Sequence, residues 1–276
     1  MRNYQVSELK CHISASLSEI NLDKILATGQ VFRWRKQDDT WFGVIRSRLW
    51  ILRQNDSGIH YSYHDITPVT PTDDNLAETQ LRDYLNLDHK LRDITSAWVS
   101  RDPHLSSLIT SHPGLRLLRQ DPHECLLSFI TSSCNNMPRI SSLLLKLSSL
   151  SPHSISLHDT SFHTLPTMSH LAAHTSEQTL RSLGFGYRAK YIVSAARDVV
   201  ERGGELWLES LRGLELSEAK RELSQLAGVG PKVASCVCLM SLDKHNAVPI
   251  DTHMFQVSSG FQREIHSVKC CSYYSY

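Results

Sequence analysis

Lys232 is the residue whose type and setting point most directly to covalent chemistry. It follows Gly228-Val229-Gly230-Pro231, and Pro231 suits the first position of a helix. A cation one residue inside a helix meets the positive end of the dipole. In a site that also excludes water, both effects favour the uncharged amine, a nucleophile toward an electrophilic carbon. Cys236 and Leu239 follow at i+4 and i+7 and share its helix face. Downstream, Pro249-Ile250-Asp251-Thr252-His253 supplies a carboxylate able to cap another helix and stay ionised.

The elements that must position these groups are legible around them. Ser217 is placed to cap a helix carrying Ala219, Leu223 and Leu226, with Gly228 at its end. The helix opened by Pro231 has Val233, Val237 and Met240 on its apolar stripe. Gly228 and Gly230 allow positive φ in a very tight hairpin between the two. The N–H groups opening the second helix then form an anion site suited to a phosphate. Each feature alone has an ordinary explanation, since a first-turn lysine is usually solvated and an N-cap aspartate is usually only a cap. The ordered set points to chemistry on a nucleic-acid sugar.

Bulk properties narrow the class. A chain of 276 residues, 41% hydrophobic and 21% charged, suits a soluble globular protein of two modest domains or one large one. Net charge is only +1, so a nucleic-acid surface has to be a local patch, for which Arg181, Arg188, Lys190 and Arg197 are candidates. No apolar stretch is long enough to span a bilayer, and the N-terminus lacks the apolar core of a signal peptide. The seven cysteines include no CxxC pair, which argues for reduced thiols in the nucleus or cytosol. The 15 histidines lack ligand spacing, and no metal site is expected.

Periodicity predicts an α+β fold. Residues 1 to about 70 read as an antiparallel sheet with one buried face: Val31–Arg35 with Phe32 and Trp34 together, then 41–45, 49–52 and 59–63. Residues 65–73 read as an exit loop. Helical spacing begins near Asn75, breaks at Pro113-Gly114, and resumes from Glu124 to about Ser133. Residues 141–166 are rich in Ser and Leu; Leu143, Leu144, Leu147 and Leu150 finish a helix, and 151–154 read as loop. The expected division is a sheet domain with flanking helices at 1–105, a helical hairpin domain at 106–259, and a tail at 260–276.

The order of hairpin, Gly-Pro-Lys, a cysteine four residues on, and Val-Pro-Ile-Asp-Thr-His resembles the helix-hairpin-helix glycosylases. Within them it resembles the eukaryotic 8-oxoguanine DNA glycosylase/AP lyases. Two further segments carry the likeness: Gly29-Gln30-Val31-Phe32-Arg33-Trp34 resembles the family's GQ-x-FRW motif, and Gly184-Phe185-Gly186-Tyr187-Arg188-Ala189 its GxGYRA segment. The resemblance implies excision of 8-oxoguanine opposite cytosine in duplex DNA, then strand nicking, in a nuclear or mitochondrial enzyme. It implies Lys232 as nucleophile, Asp251 as its partner, and Gly29 as the carbonyl that accepts the lesion's N7 proton. Cys236, Pro249 and His253 are implied around the base. Tyr187 is implied as a wedge in the base stack, Arg139 and Arg188 on the opposite cytosine, and Gly228 and Gly230 on the DNA backbone.

Cys134 departs from the family, which has the first of three asparagines there, filling the space of the flipped base and contacting cytosine. The likeness stops near Ser259, before the family's base-reading glutamine and stacking phenylalanine, and the last residues resemble an alternative or truncated terminus. Only Cys270 and Cys271 lie beyond Asp251, so the iron–sulfur cluster of some relatives is not expected. No redox or organic cofactor is implied, although such hairpins can hold a monovalent cation on backbone carbonyls. A monomer acting on double-stranded DNA is expected. Two other readings stay open: a truncated, non-catalytic or weakly active DNA-binding form, and a glycosylase for alkylated bases, whose members generally lack this lysine.

Overall fold

The computed structural model describes residues 8–67, 74–251 and 254. Strand β1 (Cys11–Ile13) and helix α1 (Leu22–Ile25) precede β2 (Arg35–Gln37), β3 (Thr40–Ile45), β4 (Arg48–Asn55) and β5 (Gly58–Asp65). The five strands form one antiparallel sheet in the order β1-β5-β4-β3-β2. The meander follows the apolar alternation, with Trp41 opposite Leu52 and Phe42 opposite Ile51.

Both faces of this sheet are buried, where the sequence pattern argued for one. Trp41, Trp50, Leu52 and Tyr61 pack with α1 and with Ala77, Leu81 and Tyr84 of α2 (Asp74–Tyr84). Phe42, Val44, Leu49 and Ile51 close against Phe162. Phe162 lies on β7 (Thr160–His163), which pairs with β6 (Ser154–Leu157) in a hairpin supplied by the helical half of the chain. The Phe42 and Phe162 rings stack 6.1 Å apart. The serine-rich stretch thus holds a strand pair that its loop-like composition hides.

The segment Val31–Trp34 is irregular rather than a strand, and pairing begins only at Arg35. Phe32 and Trp34 consequently part. Phe32 enters the helical core, while Trp34 packs on the sheet side and donates to the Tyr84 hydroxyl at 2.9 Å. Arg33, only 6% exposed, donates to Glu124 at 2.7 Å and to the His163 carbonyl at 2.7 Å. Gln30 bonds Arg116 O and Leu118 N, and its own carbonyl accepts from Gln120. This irregular stretch therefore fastens the sheet to the helices.

After α3 (Leu91–Arg101) and α4 (Leu105–Ser111), Gly114 turns at φ +71, where a Cβ would stand 2.3 Å from the Leu17 carbonyl oxygen. The core of the helical half is α5 (Pro122–Ser132), capped by Asp121 and buried along most of its length. Around it pack α6 (Met137–Ser148), α9 (Arg188–Arg202), α10 (Glu205–Ser210) and α12 (Pro231–Ser241). Helices α7 (Met168–His174) and α8 (Glu177–Ser182) lead into α9, and a short 3-10 turn precedes α11 (Leu216–Ser224). Helix α11 begins one residue before Ser217, with Glu215 at its N-cap position, so Ser217 is not the cap.

Candidate active site and nucleic-acid interface

Pro231 opens α12, as its fixed φ favours, and the preceding hairpin is tight because Gly228 stands at φ +80. Gly230 departs from the expectation of positive φ: it lies at φ −85, in extended backbone, as the N-cap residue. It offers no side-chain cap, so the first-turn N–H groups of α12 are without one.

Lys232 is half-buried on the first turn of α12, and its Nζ lies 5.2 Å from the centre of the Phe129 ring. Phe129 belongs to α5, is 3% exposed, and meets Phe32 edge-to-face at 6.0 Å. The Lys232 amine also hydrogen-bonds the Cys236 side chain. Burial pushes the Cys236 thiol up to about 11, the neighbouring Lys232 opposes that shift, and the Asp251 charge adds to it. Cys236 thus lies within electrostatic reach of both the amine and the carboxylate. Asp251 accepts from the Met254 N–H at 2.9 Å, three residues on and helical, as an N-cap does. Pro249 is half-buried just before it, and His253 lies outside the described residues. Gly29 is exposed, and a Cβ there would sit 3.9 Å from the sulfur of Met137 at the start of α6.

A second cluster gathers where α5 ends and α9 begins. Cys134 is exposed in a left-handed conformation, φ +48. Tyr187, 46% exposed, donates to the Ser133 carbonyl at 3.1 Å and hydrogen-bonds the Cys134 side chain. Arg139 donates to the Gly184 carbonyl at 3.3 Å. Arg188 is 3% exposed; its Nε donates to Ser133 O at 2.9 Å and its Nη2 to both Ser133 O and Cys134 O. Its guanidinium stacks 4.6 Å over the Tyr187 ring.

The suggested basic patch shrinks accordingly. Arg188 is committed to carbonyls and Arg181 pairs with Glu177 at 2.7 Å, which leaves Lys190 and Arg197 exposed on α9. Among the described residues no group of three or more His, Cys, Asp or Glu is arranged to hold a metal, and Cys11, Cys125, Cys134, Cys236 and Cys238 are free thiols. Cys270, Cys271 and the rest of the tail lie outside the described residues. Sequence reasoning passes over Phe129 and the Ser133 carbonyl. The first reads as one more core aromatic on α5, and a carbonyl leaves no mark in composition.

An amine at the head of a hairpin-led helix, a capping carboxylate nearby and an exposed aromatic on a glycine turn define the class: a helix-hairpin-helix DNA glycosylase. The comparisons narrow it further. Residues 12–126 match the family model described as 8-oxoguanine DNA glycosylase, N-terminal domain. The chain is 40% identical over 249 residues to N-glycosylase/DNA lyase OGG1 of Arabidopsis thaliana, covering 88% of this chain and 67% of that protein. It is 33% identical over 264 residues to the N-glycosylase/DNA lyase of Saccharomyces cerevisiae, covering 89% and 69%. The chain belongs to the 8-oxoguanine DNA glycosylase/AP lyase family.

Its structure superposes on the Clostridium acetobutylicum 8-oxoguanine glycosylase/lyase, solved with double-stranded DNA containing cytosine opposite 8-oxoG. The TM-score is 0.78 at 27% identity, covering 88% of this chain and 80% of that one. The 3-methyladenine DNA glycosylase of Archaeoglobus fulgidus, at 19% identity and a TM-score of 0.71, shares the fold.

Proposed function

We propose that this glycosylase/lyase removes 8-oxoguanine opposite cytosine from duplex DNA and nicks the strand, with Lys232 as nucleophile and Asp251 as its electrostatic partner. The observation that carries this assignment is the lodging of the Lys232 amine over Phe129, bonded to Cys236, in a spot that the Asp251 charge reaches. The damaged nucleotide has to leave the stack, since an amine on α12 cannot reach C1′ inside a duplex. The lysine lone pair forms a C–N bond at C1′ as the C1′–N9 bond breaks, and the base departs with that electron pair and takes up a proton. Ring opening gives a protonated Schiff base on Lys232. Loss of a C2′ proton then expels the 3′ phosphate by β-elimination, and water releases the enzyme. Asp251 stabilises the positive charge that develops on the sugar.

In this reading Gly29 presents its carbonyl to the lesion's N7–H, and Cys236, Pro249 and His253 flank the base. Rejection of guanine follows from the unpaired polar group it leaves. Tyr187 wedges into the gap, and Cys134, Arg139 and Arg188 form the side toward the opposite cytosine. Gly228 and Gly230 bring backbone N–H groups to a phosphate without reading sequence, and hairpin carbonyls could hold a monovalent cation there. The chain acts as a monomer on double-stranded DNA.

Single-turnover reaction of this chain with a duplex carrying 8-oxoguanine opposite cytosine tests the assignment. Free 8-oxoguanine together with a nicked strand is the expected product pair. A chain that shifts the duplex in a gel yet releases no base is a DNA-binding protein only. Release from 3-methyladenine duplexes alone assigns it to the alkylated-base class.

A further inference from the structure

We propose that Phe129 is a positioning residue for the reaction, acting through Lys232: its ring face holds the lysine head group in place for attack. The inference rests on Lys232 being the nucleophile. Its basis is the cation–π distance of 5.2 Å between Nζ and the ring centre. The ring is itself fixed, because Phe129 is 3% exposed and wedged edge-to-face against Phe32 at 6.0 Å. Phe32 lies three residues beyond Gly29, in the segment whose Gln30 and Arg33 are pinned to the helical half. The lysine is therefore held against a support that the lesion-facing segment also shapes.

Two contacts restrain the amine from different sides. Cys236, one turn along α12, takes a hydrogen bond, and Phe129 on α5 takes the charge. The titratable groups at this spot are Cys236 on α12, which the charges of Lys232 and Asp251 both reach, and Cys125 on α5, which interacts with Cys236. Burial drives both thiols up, so they stay protonated through the neutral range, and the ring is the charge-attracting surface the lysine head group meets. The ring face attracts the lysine head group, and weakening it loosens the side chain.

The test is a fluorination series at Phe129 (mono-, di- and trifluorophenylalanine), which drains the ring face while keeping its shape. Single-turnover excision on an 8-oxoguanine·cytosine duplex is followed at neutral pH, with Phe129→Leu and Lys232→Gln alongside. The single-turnover rate is expected to fall stepwise along the series, by roughly threefold in all. The rate of Phe129→Leu is expected to fall about tenfold. Rates that agree across the series, while wild type reacts and Lys232→Gln does not, overturn the role of Phe129 and leave that of Lys232 standing. A wild-type chain that excises nothing, or a fully active Lys232→Gln, overturns both.

Discussion

Cys134 carries the sharpest local conflict in the molecule. Its backbone sits at φ +48, a region that costs a residue with a Cβ about 1 kcal/mol and that asparagine tolerates best. Arg188 holds it there by donating to the Ser133 and Cys134 carbonyls, and the Tyr187 hydroxyl donates to the Ser133 carbonyl as well. Cys134→Asn is therefore expected to stabilise the chain by about 1 kcal/mol, read as a rise in melting temperature of about 2 °C. If position 134 faces the opposite base as proposed, the added amide should also steepen the preference for cytosine over adenine in excision assays. An unchanged or lower melting temperature would mean that the surrounding turn suits sulfur. The neighbourhood of Lys232 shows how much a sequence conveys at this scale. Cys236 at i+4 follows from helix geometry, whereas Phe129 under the amine and Phe32 against Phe129 come from two other parts of the chain that no spacing rule connects.

The hairpin between α11 and α12 depends on its two glycines unequally. Gly228 is left-handed, and a Cβ there would come within 2.6 Å of the Tyr191 Cβ. Gly230 is in ordinary extended backbone, with nothing within 4 Å of the same position. Gly228→Ala is expected to destabilise by about 2 kcal/mol in chemical denaturation, whereas Gly230→Ala should be close to neutral for folding. If Gly230 meets DNA, its alanine variant instead weakens duplex binding in fluorescence anisotropy. Equal losses of stability in the two would contradict the geometry. Elements with strong periodicity or firm punctuation, such as β3–β5 and the Pro231 helix, were readable beforehand because one physical signal dominates each. The β6–β7 hairpin was not, because its turn uses His158 and Asp159 at φ +45 and +63 rather than Asn-Gly, and serines alternate with its apolar residues. Val31–Trp34 misled in the opposite direction. Its alternation is that of a strand, but Phe32 and Trp34 serve two different cores.

At the scale of the whole molecule, the sheet and the helices are clasped by charge as well as by packing. Arg119 forms a bidentate pair with Asp243 at 2.7 Å and reaches Asp83 of α2 at 2.7 Å, so one guanidinium spans both halves. Burial alone would raise the Asp243 carboxyl, but the hydrogen bonds and charge of Arg119 hold it below its ordinary 3.8. A carboxylate lowered in the fold adds stability above its unfolded value and loses it as pH falls through the folded one. The melting-temperature gap between wild type and Asp243→Asn is thus expected to be full at neutral pH and to close as pH drops below 3.8. A gap independent of pH would show that the clasp acts by shape alone. The two-part α+β plan was apparent from the change of period near Asn75; the clasp was not, since it joins residues far apart in the chain. The central claim, that the amine of Lys232 attacks C1′, is tested most directly by borohydride reduction during turnover of an 8-oxoguanine·cytosine duplex, followed by mass spectrometry of the digested adduct. The account predicts one reduced sugar remnant, carried on Lys232 and abolished in Lys232→Gln; a remnant on another residue, or a Lys232→Gln chain that still traps DNA, would contradict it.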